Sequence, residues 1–334
     1  MLGRIIVALL ALIGLAALAL GGAYMALKRA DIPYETLAAH YETSASRYEA
    51  LESGVRVHYL DAGDPNAATL ILLHGYTSSS ATWTPWIERL GDAYHIIAVD
   101  LPGHGLTSAP AGYEATIEHF RDTLGEFVRA RGLNRFALAG NSMGGNVAWE
   151  YALAYPEQVE ALILVDASGW PVEEPALQEN QPILEALSHP TIGPIVRDLD
   201  NTQMMRQGLE FAFADDSLVT DAMVERYAEL SRAPGHRAMM LDLMLEFTQR
   251  RFASPEVLAD LTAPTLIVWG DQDEVVPVAD AQKFKDAIPG ARLVMFEGVG
   301  HMPHEEAPDQ SAAAVRTFLE ANLSAPAPAL EELP

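Results

Sequence analysis

The segment Gly140-Asn141-Ser142-Met143-Gly144-Gly145 follows the short apolar run Phe136-Ala137-Leu138-Ala139, and Asn146 to Tyr151 continues with helical character. A serine in such a strand–turn–helix setting can act as a nucleophile lifted clear of a sheet edge. The turn is sharp enough to strain the serine backbone. The residues two before and two after it must be small, and Gly140 and Gly144 meet that need. Ser142 would then stand at a helix N-terminus, where N–H groups and the dipole favour an anion. The plain alternative is a glycine-rich turn that happens to contain a serine.

A serine hydroxyl is a poor nucleophile at neutral pH and needs a base. His301, in Gly298-Val299-Gly300-His301-Met302-Pro303, is the best candidate, because its glycines let the loop swing the imidazole towards the serine. His304 is the near alternative, expected to be structural or solvent-facing. The imidazole needs an anion behind it to fix its tautomer. Asp273, in Gly270-Asp271-Gln272-Asp273, is preferred over Asp271, which suits a turn cap. Asp166, closing the sixth strand, is a third possibility or a simple turn residue. The chain order Ser142, Asp273, His301 matches neither major serine protease order. An oxyanion would need two N–H donors. Met143, directly after the nucleophile, supplies one. Tyr76, in the turn His74-Gly75-Tyr76, supplies the other: Gly75 lets the backbone approach, and the His74 side chain is expected to be a structural hydrogen-bonder. Asp100-Leu101-Pro102-Gly103-His104-Gly105 shapes a tight loop beside the pocket, with no catalytic role for His104.

These residues need a sheet to gather them. Thr69–Leu73, Ile96–Val99, Phe136–Ala139, Ala161–Val165, Thr265–Val268 and Leu293–Phe296 are continuous apolar runs, typical of strands buried on both faces. Tyr48–Leu51 and Val55–Leu60 flank a hairpin-like turn and suit an antiparallel pair at the sheet edge. Helical patterns lie between the strands, at Trp83–Leu90, Ile117–Ala130, Met143–Ala154, Ala279–Ala287 and Ser311–Leu323. The alternation predicts an α/β fold, a mostly parallel eight-stranded sheet with helices on both faces. From Gly169 to Phe252 the alternation stops. Asp198–Phe213, Asp221–Ser231 and His236–Phe252 read as helices separated by Pro190, Pro194, Pro234 and Gly235. This predicts a helical cap inserted after strand six, over the sheet edge where ligands bind. Six of the eleven methionines fall between Met204 and Met244. They can line an adaptable apolar pocket or simply pack helices.

The 334 residues suit one large domain with an insertion. The expected division is an N-terminal segment 1–30, a core 31–168, a cap 169–252, a second core part 253–323 and a disordered tail 324–334. A net charge of −25 argues against nucleic acid as partner. The absence of cysteine excludes a thiol nucleophile, a thiolate metal site and disulfides. Ile5 to Leu27 is almost wholly apolar and uncharged, with Arg4 before it and Lys28 and Arg29 after. About 23 helical residues span roughly 34 Å, enough for a bilayer core. The expectation is a transmembrane anchor that makes the membrane a partner, with the catalytic domain on the periplasmic side of an inner membrane. A cleaved signal peptide, ending near Ala17-Leu18-Ala19, would instead give a secreted protein.

With the motifs His74-Gly75, Asp100-Leu101-Pro102-Gly103-His104-Gly105, Gly140-Asn141-Ser142-Met143-Gly144-Gly145, Gly270-Asp271-Gln272-Asp273 and Gly300-His301 in this order, the chain resembles the α/β-hydrolase superfamily from about Tyr48 to Leu323. Dehalogenases and epoxide hydrolases of that fold carry aspartate where Ser142 stands. An apolar N-terminus before such a core also looks like the membrane-associated bacterial lipases and esterases. The resemblance implies a carboxylic ester hydrolase working through an acyl-enzyme on hydrophobic small-molecule esters, with no cofactor and no metal. The hexapeptide from Gly140 to Gly145 is also similar to that of meta-cleavage-product hydrolases, which split carbon–carbon bonds. A catalytically silent, membrane-tethered binding module is the non-enzymatic alternative.

Overall fold

The computed structural model describes residues 19, 21–171, 185, 187–246 and 250–323. Eight strands form one sheet: β1 (Ser46–Ala50), β2 (Arg56–Ala62), β3 (Thr69–Leu73), β4 (His95–Val99), β5 (Phe136–Asn141), β6 (Val159–Val165), β7 (Thr265–Gly270) and β8 (Arg292–Phe296). Their order across the sheet is β1-β2-β4-β3-β5-β6-β7-β8. β2 pairs antiparallel with both β1 and β4, and every pairing from β4 to β8 is parallel. β5, which runs directly into Ser142, therefore lies in the interior of the sheet.

The pleat distributes alternate side chains to opposite faces. Ile71 and Leu73 of β3 join one core, with Phe120, Phe127, Trp149 and Phe284 of helices Ile117–Ala130, Met143–Ala154 and Ala279–Ala287. Leu70 and Leu72 join the other, with Trp86 and Phe318 of helices Thr84–Leu90 and Pro308–Asn322. Burying each such large apolar side chain contributes about 1.5–3 kcal/mol. Helix Ile117–Ala130 shows the local logic: Thr116 caps it by accepting the His119 N–H at 3.1 Å, and Ile117, Phe120, Leu124 and Phe127 share its buried face. The pattern expected from Trp83 opens instead as a 3₁₀ turn, Ser80–Trp83, before the helix at Thr84, because Pro85 fits only a first helical turn. β8 is a partly exposed edge strand rather than one buried on both faces. Apolar content alone does not separate a central strand from an edge.

After β6 the chain leaves the sheet and returns at β7, and the insertion between them is a helical cap. Its described helices include Ile192–Arg197, Thr202–Ala212, Asp221–Leu230 and His236–Glu246. Pro194, expected to separate helices, sits inside the first turn of Ile192–Arg197, where its missing N–H is harmless. Residues 172–184, 186 and 247–249 of the expected cap, and the expected tail 324–334, lie outside the described residues.

The membrane expectations are corrected. Among the described residues no helix is long and apolar enough to cross a membrane. Residues 1–18 and 20 of the expected span lie outside the described residues. Residues 21–27 are helical. Beyond them the chain turns onto the cap: the Asp200 N–H donates to Leu27 O at 2.8 Å, the Arg29 N–H donates to Asp198 O at 2.9 Å, and Arg29 pairs with Asp200 at 2.8 Å. A transmembrane anchor, a membrane partner and the inner-membrane, periplasmic or secreted placement built on that segment are therefore not carried by the fold. Between that contact and β1 the chain forms helix Tyr34–Tyr41, whose Leu37 is buried against Leu106 of the core and Leu230 of the cap.

Candidate active site

Ser142 stands between β5 and helix Met143–Ala154 with φ +53° and ψ −117°, a conformation that costs a non-glycine residue about 1–3 kcal/mol. The glycines around it are required by contact. A Cβ on Gly140 would lie 2.1 Å from Gly144 O, and one on Gly144 would lie 2.3 Å from Leu73 O. Ser142 holds the N-cap position of its helix, but its side chain takes no capping bond. Met143 is the first residue of that helix, so its N–H is outside the intrahelical ladder.

β7 and β8 deliver the other two groups. Asp273 follows β7 and is buried; its Oδ1 accepts the N–H groups of Val275 at 2.8 Å and Val276 at 3.0 Å. His301 follows β8, and its Nδ1 donates to Asp273 Oδ2 at 2.8 Å. That bond leaves Nε2 as the nitrogen able to take a proton. Asp271 goes elsewhere: its Oδ1 accepts the Gly298 N–H at 2.7 Å, closing the turn between the two loops. Asp166 is fully buried, with φ +44°, and accepts the Gly270 N–H at 2.9 Å. Among the described residues no hydrogen bond joins Ser142 to His301, but both side chains line one cavity. Such bonds are often long without substrate.

His74 and Gly75 lie behind this constellation. His74 is buried, donating from Nδ1 to Gly75 O at 2.8 Å and accepting the Leu101 N–H at Nε2 at 3.0 Å. A Cβ on Gly75 would come within 2.9 Å of Asn141 Oδ1, so the turn bearing Tyr76 presses against the elbow. His304 is structural but in no sense solvent-facing. It is fully buried, bonded to Thr82 Oγ1 at 2.9 Å and stacked on Trp83 at 4.2 Å. Burial, then the neighbouring His301, push it down to about 3. His104 is buried and donates to Pro102 O.

Two residues escaped the sequence reading. Asn141 Nδ2 donates to Val165 O at 3.2 Å and to His301 O at 3.1 Å, tying the elbow to the histidine loop. Glu306 accepts the N–H groups of Gly300 at 3.0 Å, Met302 at 3.2 Å and Ala214 at 2.8 Å, joining that loop to the cap. The only sequence hint of either was proximity to a motif.

The larger cavity, about 650 Å³, reaches Ser142 and His301 beneath the cap. Met204, Met205, Met240 and Met244, four of the six cap methionines, line it with Leu209 and Leu241. A smaller cavity of about 220 Å³ meets Ser142 from another side, and Tyr76, Met244 and Val275 belong to both. A strained serine at the mouth of an apolar chamber, in a chain without cysteine, defines a serine-type hydrolase.

The chain belongs to the family described as alpha/beta hydrolase fold, whose model matches residues 68–308. It is similar to Lipase 1 of Psychrobacter immobilis, at 30% identity over 281 residues that cover 81% of this chain and 84% of that one. Among solved structures it is similar to a membrane phospholipase A described as a bacterial virulence factor, with TM-score 0.72, 29% identity, and coverage of 94% and 97% of the two chains. It is also similar to a meta-cleavage product hydrolase from Pseudomonas fluorescens IP01, with TM-score 0.70, 27% identity, and coverage of 82% and 97%. The protein is a hydrolase of small organic substrates, of the type that cleaves ester or carbon–carbon bonds.

Proposed function

We propose that the chain hydrolyses carboxylic esters of hydrophobic acids through an acyl-enzyme. Ser142 Oγ attacks the ester carbonyl while His301 Nε2 takes its proton. The N–H groups of Met143 and Tyr76 hold the developing oxyanion. His301 then protonates the leaving alcohol and activates the water that releases the acid, while Asp273 holds its Nδ1–H throughout. The 2.8 Å bond from His301 to Asp273, at the wall of the chamber that Ser142 also lines, carries this reading. The methionine-rich wall favours apolar acyl chains. The division into a core of 31–168 and 253–323 with a cap of 169–252 is part of the same proposal. Ser142→Ala is expected to lower kcat on p-nitrophenyl esters by at least about a thousandfold. Turnover near the native rate in that variant would end the proposal.

A second reading, hydrolysis of a carbon–carbon bond in a vinylogous diketone, is favoured by the likeness to the meta-cleavage product hydrolase. One purified sample assayed against a ring-fission product and a short acyl ester separates the two. Faster turnover of the diketone would select the second.

A further inference from the structure

Asp166 has a carboxylate oxygen that the reaction above does not use. Its Oδ1 accepts the Gly270 N–H, whereas Oδ2 is buried and meets no hydrogen-bond donor among the described residues. One oxygen of Asp166, one of Asp273 and a ring nitrogen of His301 lie within 4.8 Å of one another, all buried. Two ionised carboxylates that close and sealed from water repel strongly, so a single proton must be shared between them. The donors decide which carboxyl keeps it. Asp273 receives three, from Val275, Val276 and His301, while Asp166 receives one. The charge therefore rests on Asp273. A proton on Asp166 turns its unpartnered acceptor into a donor.

We propose that Asp166 is a positioning residue, a neutral carboxylic acid whose Oδ2 hydroxyl donates a hydrogen bond to the Asp273 carboxylate and holds it in line with His301. Burial, then the Asp273 charge, pushes the Asp166 carboxyl well above the ordinary range, and Glu306 acts in the same sense. Asp166 lines neither cavity, so it acts only through Asp273. The three side chains also have the spacing of a cation site. The donor set does not fit one, because the His301 Nδ1 proton already occupies the line to Asp273. The inference rests on the Ser142–His301–Asp273 relay proposed above.

Asparagine at this position offers an oxygen to Gly270 and an N–H to Asp273 with no proton to lose. The test compares kcat and KM on a p-nitrophenyl ester for wild type, Asp166→Ala, Asp166→Asn and Asp273→Asn. Asp166→Ala is expected to lower kcat by about 10- to 100-fold with KM little changed, and Asp166→Asn to recover it to within about fivefold of wild type. An Asp166→Asn loss as deep as that of Asp273→Asn would mean that Asp166 must be ionised, and would overturn the proposal. So would wild-type turnover in Asp166→Ala, or loss of activity on EDTA treatment that a divalent cation restores. Should Asp166→Ala fail to fold, the infrared C=O stretch of a protonated carboxyl decides. It should be present in wild type at neutral pH and missing from Asp166→Asn, and an unchanged spectrum rejects the idea. If Ser142→Ala keeps its activity, the relay itself is wrong. If that variant is dead and the Asp166 series is flat, only this inference fails.

Discussion

Asn141 does beside Ser142 what a second backbone strand would do elsewhere. Its amide bridges Val165 O and His301 O, so the loop that carries His301 is held from the residue beside Ser142. Replacing it with alanine strips a donor from two buried carbonyls. Val165 O keeps the Ser142 N–H at 3.0 Å, so only His301 O is orphaned, at a cost of about 1–3 kcal/mol. Asn141→Ala should lower kcat by about 10- to 100-fold while the protein still folds. The check is steady-state kinetics beside a melting curve, and an unchanged kcat would show that the loop is held by other means. The sequence displayed Ser142 openly, because a glycine frame around serine has few other uses. Asn141 sat in the variable position of the same motif and looked free. Asp273 stood out from Asp271 only by loop position, whereas the fold separates them by partner: one meets His301 and the other caps Gly298.

At the scale of elements, the cap and the histidine loop are one mechanical unit. The His301 N–H donates to Ala212 O at 2.7 Å, at the end of helix Thr202–Ala212, and Glu306 collects N–H groups from both sides of the joint. Glu306→Ala leaves three donors to find new partners. The expected outcome is a loss of about 2–4 kcal/mol, a melting temperature lower by about 4–16 °C, and a kcat reduced about tenfold or more. Glu306→Gln, which keeps two acceptor lone pairs on one oxygen, should lie between. Circular dichroism melts of both variants decide, and equal melting temperatures for Glu306→Ala and wild type would remove the latch. Strands and crossover helices were legible in the sequence because their apolar periods are local. The joint was not, since Ala212 and Glu306 are linked only through space.

At the scale of the whole molecule, buried histidines couple stability to pH. His304, fully buried and held down to about 3, packs on Trp83 at the join between the 3₁₀ turn and the last helices. The unfolded chain takes up a proton there near pH 6.5, while the folded chain stays neutral until near 3. The unfolded state thus binds more protons in that window, and this contribution to stability is lost as pH falls below about 6.5. His304→Gln removes the linkage. The stability difference between wild type and His304→Gln should shrink by about 2 kcal/mol between pH 7.5 and pH 5. Denaturant titrations at the two pH values measure it, and a constant difference would contradict the burial of a neutral imidazole. Asp166, Glu150 and Glu305, whose carboxyls are pushed up mainly by burial, act in the opposite sense, so the comparison must be made between variants.

From residue types and spacing alone came the mostly parallel sheet, the place of the cap, and the candidate serine, acid and base that the proposed reaction uses. Each is written in contiguous residues, through a turn that admits only glycine or a period that admits only strand or helix. The same local reading extended an apolar N-terminal run into a membrane span, because hydropathy records composition and not what a segment packs against. Tertiary structure alone decided that the stretch after that run turns onto the cap, and that Asp273 faces His301. It also decided that His304 is sealed in the core and that Asp166, Asp273 and His301 come within 4.8 Å of one another. Those are distances between residues far apart in the chain, and they exist only once the sheet has brought its carboxyl edge together.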